Sequence, residues 1–305
     1  MVNTFKLTRY NFIIFIMLTT NVISLTSSEK AFNDGMYFVT ASDTEHFPWL
    51  QGLILSIQKY NHGKISRISV YDLGLKKSEI KILENIPFVE VCDIETINPD
   101  MKTKFIVRPN GRLARGWYTW KPTILYQASK KFPYFLYLDS GFEVVSSLDK
   151  IFNEIKTQGY YFYDCGHLIL PMVTKRVKNI FKLDLPENEW ILEEDGISAG
   201  IQGISSKLSD SYILPVYKLA TDIKNFEDDG SAFWGFGGAR HDQAIFSILV
   251  RKLGLKTHKT FCNPNKLRAG NTKIYFGILK YFKFRKHKEK DVTRLIHAKN
   301  HKLLG

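Results

Sequence analysis

Asp139, Ser140 and Gly141 close the apolar run Tyr134-Phe135-Leu136-Tyr137-Leu138, and a carboxylate in that place can do chemistry. The run is rich in β-formers and stops abruptly, so it reads as a buried strand emptying into a turn. In an open α/β sheet a ligand sits just beyond the carboxyl ends of the strands. An acid there can meet a hydroxyl or a cation, and Ser140 and Gly141 let a polar ligand come close to the backbone. The competing reading is that Asp139 only caps its turn, since Asp-Ser-Gly is ordinary turn chemistry. Asp242-Gln243 follows the glycine-rich Gly235-Phe236-Gly237-Gly238 and opens a helix. Asp242 is there either a general base or a helix N-cap. Lys121, between Trp120 and Pro122, is either a cation aimed at a ligand or a solvated helix charge. The glycines at 235–238 are either a flexible lid or a plain loop. Ala199-Gly200-Ile201 lies in a small-residue segment, 198–203, behind the acidic Glu193-Glu194-Asp195.

These residues need elements to hold them. Residues 35–43 read as a first strand ending in Thr40-Ala41-Ser42-Asp43. Leu50, Leu53, Ile54 and Ile57 recur at helical spacing over 47–60. A second strand at 65–70 runs into Tyr71-Asp72, a short helix covers 77–84, and a third strand covers 88–92. Strand, helix, strand, helix, strand predicts a parallel sheet with right-handed crossovers. A helix to Lys131 follows, with Pro122 in its first turn. After the run at 134–145 come helices from 147, 173, 210 and 241, and a last strand at 257–262. The fold class is α/β, with a mixed, mostly parallel central sheet flanked by helices.

The chain has 305 residues and a net charge of +13, part of it in the stretch from Lys280 to Lys302. Such an excess suits an anionic partner. No nucleic-acid module is recognisable, which argues against that partner class. Cys92, Cys165 and Cys262 are widely spaced, with no Cys-x-x-Cys pair, so neither a zinc site nor a dense disulfide scaffold is expected. Lys6 and Arg9 precede the apolar run 12–18, and Glu29 and Asp34 follow it. A spanning helix needs about 20 apolar residues. This run falls slightly short, so residues 1–29 read as a signal peptide or a type II membrane anchor. Either places the remainder across the membrane from the cytosol. Residues 30–270 then form the body and 271–305 a basic tail.

In their order and separations, Lys121 with Trp120 and Pro122, Asp139-Ser140-Gly141, Ala199-Gly200-Ile201 and Asp242-Gln243 resemble a glycosyltransferase of the GT-A fold. The likeness is to nucleotide-diphospho-sugar transferases of the glycogenin-like kind and related families, over about residues 35–265. It implies a GT-A, Rossmann-like sheet and transfer of a hexose-type sugar from a nucleotide diphosphate donor, UDP-linked, in the secretory pathway. The acceptor would be a glycan, protein or lipid. It implies donor contacts at Thr40, Ala41, Ser42, Asp72, Lys121, Asp139, Ser140 and Gly141. It implies acceptor contacts at Ala199, Gly200 and Gln243, and a base at Asp242. A divalent metal, Mn or Mg, would be held by Asp139 and a C-terminal histidine, His297. The departure is Gly141, where the family carries the second acid of its metal motif. Glu143 is a weak substitute, and Lys121 with Arg240 offers a metal-free way to neutralise the diphosphate. Trp117, Trp120 and Trp234 are candidates for stacking on a sugar ring, although aromatics more often belong to the core. The missing second acid also leaves a rival: a non-catalytic carbohydrate- or nucleotide-sugar-binding protein on the same fold.

Overall fold

The computed structural model describes residues 35–107, 111–259 and 282–284. The N-terminal apolar run, Cys262, His297 and most of the basic tail lie outside them. Among the described residues no helix is long and apolar enough to cross a membrane, and Cys92 and Cys165 are free thiols.

Six strands make the central sheet: β1 (Met36–Ser42), β2 (Ile65–Asp72), β3 (Val89–Cys92), β6 (Tyr134–Leu138), β8 (Tyr160–Leu168) and β9 (Asp195–Ser205). Their order is β3-β2-β1-β6-β9-β8. The first four run parallel, β9 runs against β6, and β8 against β9. Every residue of β1 and of β6 is buried. Helices cover both faces of such strands, so their sequences are near-continuous apolar runs. The helix Phe47–Asn61 sets Leu50, Leu53, Ile54 and Ile57 into this core, at the spacing expected. Each such burial contributes roughly 1.5–3 kcal/mol.

From β1 the chain steps outward through β2 and β3, then returns to the other side of β1 as β6. That reversal opens a crevice at the carboxyl ends of β1 and β6. As expected, the strand that starts at Tyr134 ends at Leu138 and empties into the turn Asp139-Ser140-Gly141, beyond which a short further strand follows. The Phe142 amide donates to the Asp139 carbonyl at 3.1 Å, closing the turn. β7 (Phe142–Val144) then pairs antiparallel with β10 (Phe282–Phe284).

Three features differ from expectation. The small-residue segment, to which the sequence reading gives no element, lies in β9, an 11-residue strand of the sheet. Glycine and alanine have weak strand propensity, but close packing demands them. A Cβ on Gly203 would stand 2.5 Å from Ile155 Cδ1, and one on Gly200 2.6 Å from Asp139 Oδ2. The hairpin of β4 (Lys104–Val107) and β5 (Arg112–Arg115) has no counterpart in the sequence reading. Its strands are four residues each and rich in charge, so no alternation stands out. The strand expected at 257–262 reduces, in its described part, to one bridge between His258 and Tyr163.

Candidate active site

A cleft of about 590 Å3 opens at the crevice between β1 and β6. Ala41, Ser42 and Asp43 at the end of β1 form one wall, and Asp139, Ser140 and Gly141 at the end of β6 face them. Lys104 and Arg115 reach in from the hairpin, and Trp49, Tyr118 and Trp120 complete the lining. A smaller cavity of about 340 Å3 lies among Gly35, Lys64, Asp149 and Lys156. It sits at the amino ends of the strands, where Lys64 and Asp149 already neutralise each other at 2.6 Å.

Behind Asp139 the site is organised by Lys121. The helix Trp120–Lys131 carries it inward, and its side chain is only 4% exposed. Its Nζ lies 3.1 Å from Asp139 Oδ1 and 3.2 Å from Asp242 Oδ2. It also donates to the Ala199 carbonyl at 3.4 Å. The rings of Tyr137, Trp120 and Tyr118 stand 5.3, 5.5 and 5.9 Å from the ammonium. Burial alone would pull its pKa down, but the charges of Asp139 and Asp242 outweigh that and hold it well above the ordinary lysine value. Lys121 is therefore not a solvated helix charge. The Tyr137 hydroxyl donates to Asp139 Oδ1 at 2.5 Å. Burial, reinforced by Asp139, keeps that hydroxyl far above the ordinary tyrosine range. Asp139 does more than cap a turn: its side chain is 37% exposed and faces the cleft.

Asp242 is placed differently from expectation. The N-cap of the helix His241–Lys252 is Arg240, so Asp242 is not the cap. Its side chain is 6% exposed and it does not line the cleft. Burial pushes its carboxyl up, with Lys121 opposing. Oδ2 lies close to the ammonium without an aligned hydrogen bond, so charge rather than a directed bond joins them. Its role in this arrangement is to hold Lys121. Asp72 spends its carboxylate on the amides of Gly74 and Leu75, inside its own turn. Thr40 is buried with its hydroxyl unpartnered. Ala199 and Gly200 are sheet backbone: the first carbonyl accepts from Lys121 and Gln202, the second from the Asp139 amide. The main-chain carbonyl of Gln243 accepts from the Ser247 hydroxyl within the helix. Lys121 is too enclosed to meet a diphosphate, and Arg240 donates to the Gly237 carbonyl at 3.0 Å, away from the cleft. Trp117 stacks on Phe105 and His241, and so belongs to the packing.

The cleft also carries residues that no motif singles out. Asp43 caps the turn Thr44–His46 and accepts from Arg115 at 2.6 Å and from His46 Nδ1 at 2.7 Å. Burial would raise the Asp43 carboxyl, but the bonds from His46 and Arg115 win and hold it well below the usual carboxylate range. Lys104 pairs with Glu45 at 2.8 Å. The available signal is the one that marks Asp139: Asp43 likewise ends a buried strand of the sheet.

The fit to a divalent ion can be judged from these groups. Asp139 has one oxygen engaged by Tyr137 and Lys121, and Gly141 adds no ligand. Ligand atoms of Asp43, Glu45 and His46 lie within 4.8 Å of one another, but Arg115 and Lys104 already neutralise the two acids. Among the described residues, Asp139 is the partly exposed carboxylate at the position the resemblance gives to the ion. One or two carboxylates suffice for Mg or Mn when substrate phosphates supply the other oxygens. The cleft wall carries three carboxylates, Asp43, Glu45 and Asp139, against the cations Lys104 and Arg115, so an entering diphosphate calls for added positive charge. The residues thus fit an ion that arrives with a phosphorylated ligand, and not a preformed cage.

No family model and no curated protein matches the sequence. Solved structures do. An active-site mutant of LgtC is 13% identical, with a TM-score of 0.50, over 87% of this chain and 96% of that one. Core-mannan synthase A (CmsA/Ktr4) from Aspergillus fumigatus, in its Mn/GDP form, is 9% identical, with a TM-score of 0.52, over 74% of this chain and 72% of that one. The chain has the GT-A glycosyltransferase fold. Gly200 packs closely against the strand-end turn at Asp139. Gly200→Ala is expected to lose about 1–3 kcal/mol of stability, because the new methyl would press on Asp139 Oδ2. Urea unfolding checks this, and a change below about 0.5 kcal/mol would show that the turn has room to spare.

Proposed function

We propose that the protein transfers a hexose-type sugar from a nucleotide diphosphate sugar, UDP-linked, to an acceptor in the secretory pathway. The observation that carries this reading is Asp139: a partly exposed carboxylate on the wall of a cleft of about 590 Å3, at the switch point of a GT-A sheet. The nucleoside end would rest at the end of β1, against Ala41 and Ser42, with Trp49 beside it. The diphosphate would meet Lys104 and Arg115, whose present partners Glu45 and Asp43 it would replace. A planar guanidinium suits two phosphate oxygens at once. Ser140 and Gly141 leave room for the sugar beside the backbone, and Asp139 is placed to hold a sugar or ribose hydroxyl. Lys121 and Tyr137 fix its orientation, so that little reorganisation is needed during transfer. A divalent cation, when bound, would be held by Asp139 and the donor and would neutralise the diphosphate. The Mn/GDP form of CmsA/Ktr4 supports that expectation for the fold.

Gly141 in place of the second acid favours a rival, a protein that binds the donor without turning it over. A panel of nucleotide sugars, tested by thermal shift with and without Mn, separates the readings. The right donor at a hundred times its Kd should stabilise by about 2.7 kcal/mol. Mn should act only in its presence. Stabilisation without any transfer or hydrolysis would favour the rival, and no stabilisation by any nucleotide would overturn the donor reading.

A further inference from the structure

The loop that leads from Phe226 into the helix His241–Lys252 presents Phe233, Trp234 and Phe236 to solvent, 71%, 59% and 52% exposed. Three large rings within four residues, kept in water, mark a surface built for contact. The loop beneath them, which its glycines leave open as a flexible lid or a plain loop, is tied by hydrogen bonds of its own. Asp228, almost fully buried, accepts from the amides of Gly230 and Gly237 and so ties the two ends together. Between those ends Gly235 donates to the Ala232 carbonyl and Gly238 to that of Gly235. Ser231 accepts from the Lys175 amide at 2.8 Å, which fastens the loop to its neighbour. Glycines 230, 235 and 237 stand at positive φ, a conformation that this tight course requires. The backbone that carries the rings is thus held in place before anything arrives, which lowers the ordering cost of binding.

We propose that this loop is a platform for a saccharide acceptor, which lies on the rings as its end enters the cleft. The proposal rests on reading the cleft as the donor site, and among the acceptor classes it selects glycans. Two observations favour a sugar chain. First, the exposed carboxylates of Glu227 and Asp229 lie on the same loop as the rings. A pyranose offers an apolar C–H face to a ring and hydroxyls to a carboxylate, so the mixture suits it. The same acids oppose an anionic bilayer, whose contact loops are basic. Second, the loop ends next to the cleft wall, which it does not itself line. It ends at His241, whose ring stacks at 5.3 Å on Tyr118 of the cleft wall and whose Nδ1 meets the Phe226 carbonyl at 2.7 Å.

The test uses the full chain with UDP and Mn present. Maltotetraose, cellotetraose, xylotetraose and mannotetraose are titrated by calorimetry. Vesicles of phosphatidylcholine with phosphatidylserine serve as a separate probe. At least one oligosaccharide should bind saturably. Trp234→Ala should weaken it by about tenfold or more, with an unchanged melting temperature, while UDP affinity stays within about twofold because the donor lies elsewhere in the site. Absence of binding by every oligosaccharide, or equal affinity in the variant, overturns the proposal. Vesicle binding that the variant loses, without saccharide binding, also overturns it and makes the loop a bilayer contact. UDP binding is scored on its own: its failure counts against the donor site, whatever the oligosaccharides do.

Discussion

Lys121→Met should lower the stability of the protein by about 3–5 kcal/mol, the usual cost of breaking a buried ion pair from one side. Methionine keeps much of the volume within the Tyr118, Trp120 and Tyr137 rings but removes the charge. Asp242, 6% exposed, would then face Asp139 with no cation between them. Adding Asp242→Asn to the variant should recover part of the loss, since the two residues act as a unit. The pH dependence has a definite sign. Burial already raises the Asp242 carboxyl, so the folded chain holds a proton there more tightly than the unfolded one. That group therefore favours folding at low pH, and its contribution is lost as the pH rises through its folded value. Removing the ammonium raises the carboxyl further, so the deficit of the variant should shrink as the pH falls. Urea unfolding across pH measures both effects. A neutral-pH loss below about 1 kcal/mol would mean that Lys121 is not the keystone described here.

Asp139→Asn should cost the fold less and the chemistry much more. The side chain is partly exposed and Lys121 would still have Asp242, but a charged hydrogen-bond partner of Lys121 and Tyr137 is removed, so stability should fall by about 1–3 kcal/mol. Turnover should fall by about a hundredfold to ten-thousandfold, the range seen when a positioned charged group is removed from a transition state. The variant should also lose any stimulation by Mn, since the partly exposed carboxylate available to the ion is gone. Initial rates with and without Mn, beside melting curves, settle both points. A variant working at the wild-type rate would remove Asp139 from the mechanism, and one that melts early without losing activity would return it to a turn-capping role.

How much of this could be read from the chain differs residue by residue. Asp139 was legible because an apolar run stops at it, and runs that stop are what strand ends look like in sequence. Lys121 stood beside a tryptophan and a proline, yet nothing local says that a lysine is buried, because its partners come from residues 18 and 121 positions away. β9 was hidden for the opposite reason. Its glycines serve close contacts with Ile155 and Asp139 that only the assembled sheet creates, and local propensity points away from a strand. The hairpin that carries Lys104 and Arg115 looks like ordinary charged surface, and its meaning comes from where the sheet's reversal puts it. Asp43 obeyed the same strand-end rule as Asp139 and could have been found by applying that rule to β1.

The indole of Trp120 has one further use. It lines the cleft, is 8% exposed, and lies 5.5 Å from the ammonium of Lys121, so its emission is set by a fixed field and a nearly dry setting. A negatively charged molecule entering the cleft would change both at once. Unlabelled protein should therefore report cleft occupancy as a shift in the emission of Trp120 and Trp49, over the background of Trp117, Trp190 and Trp234.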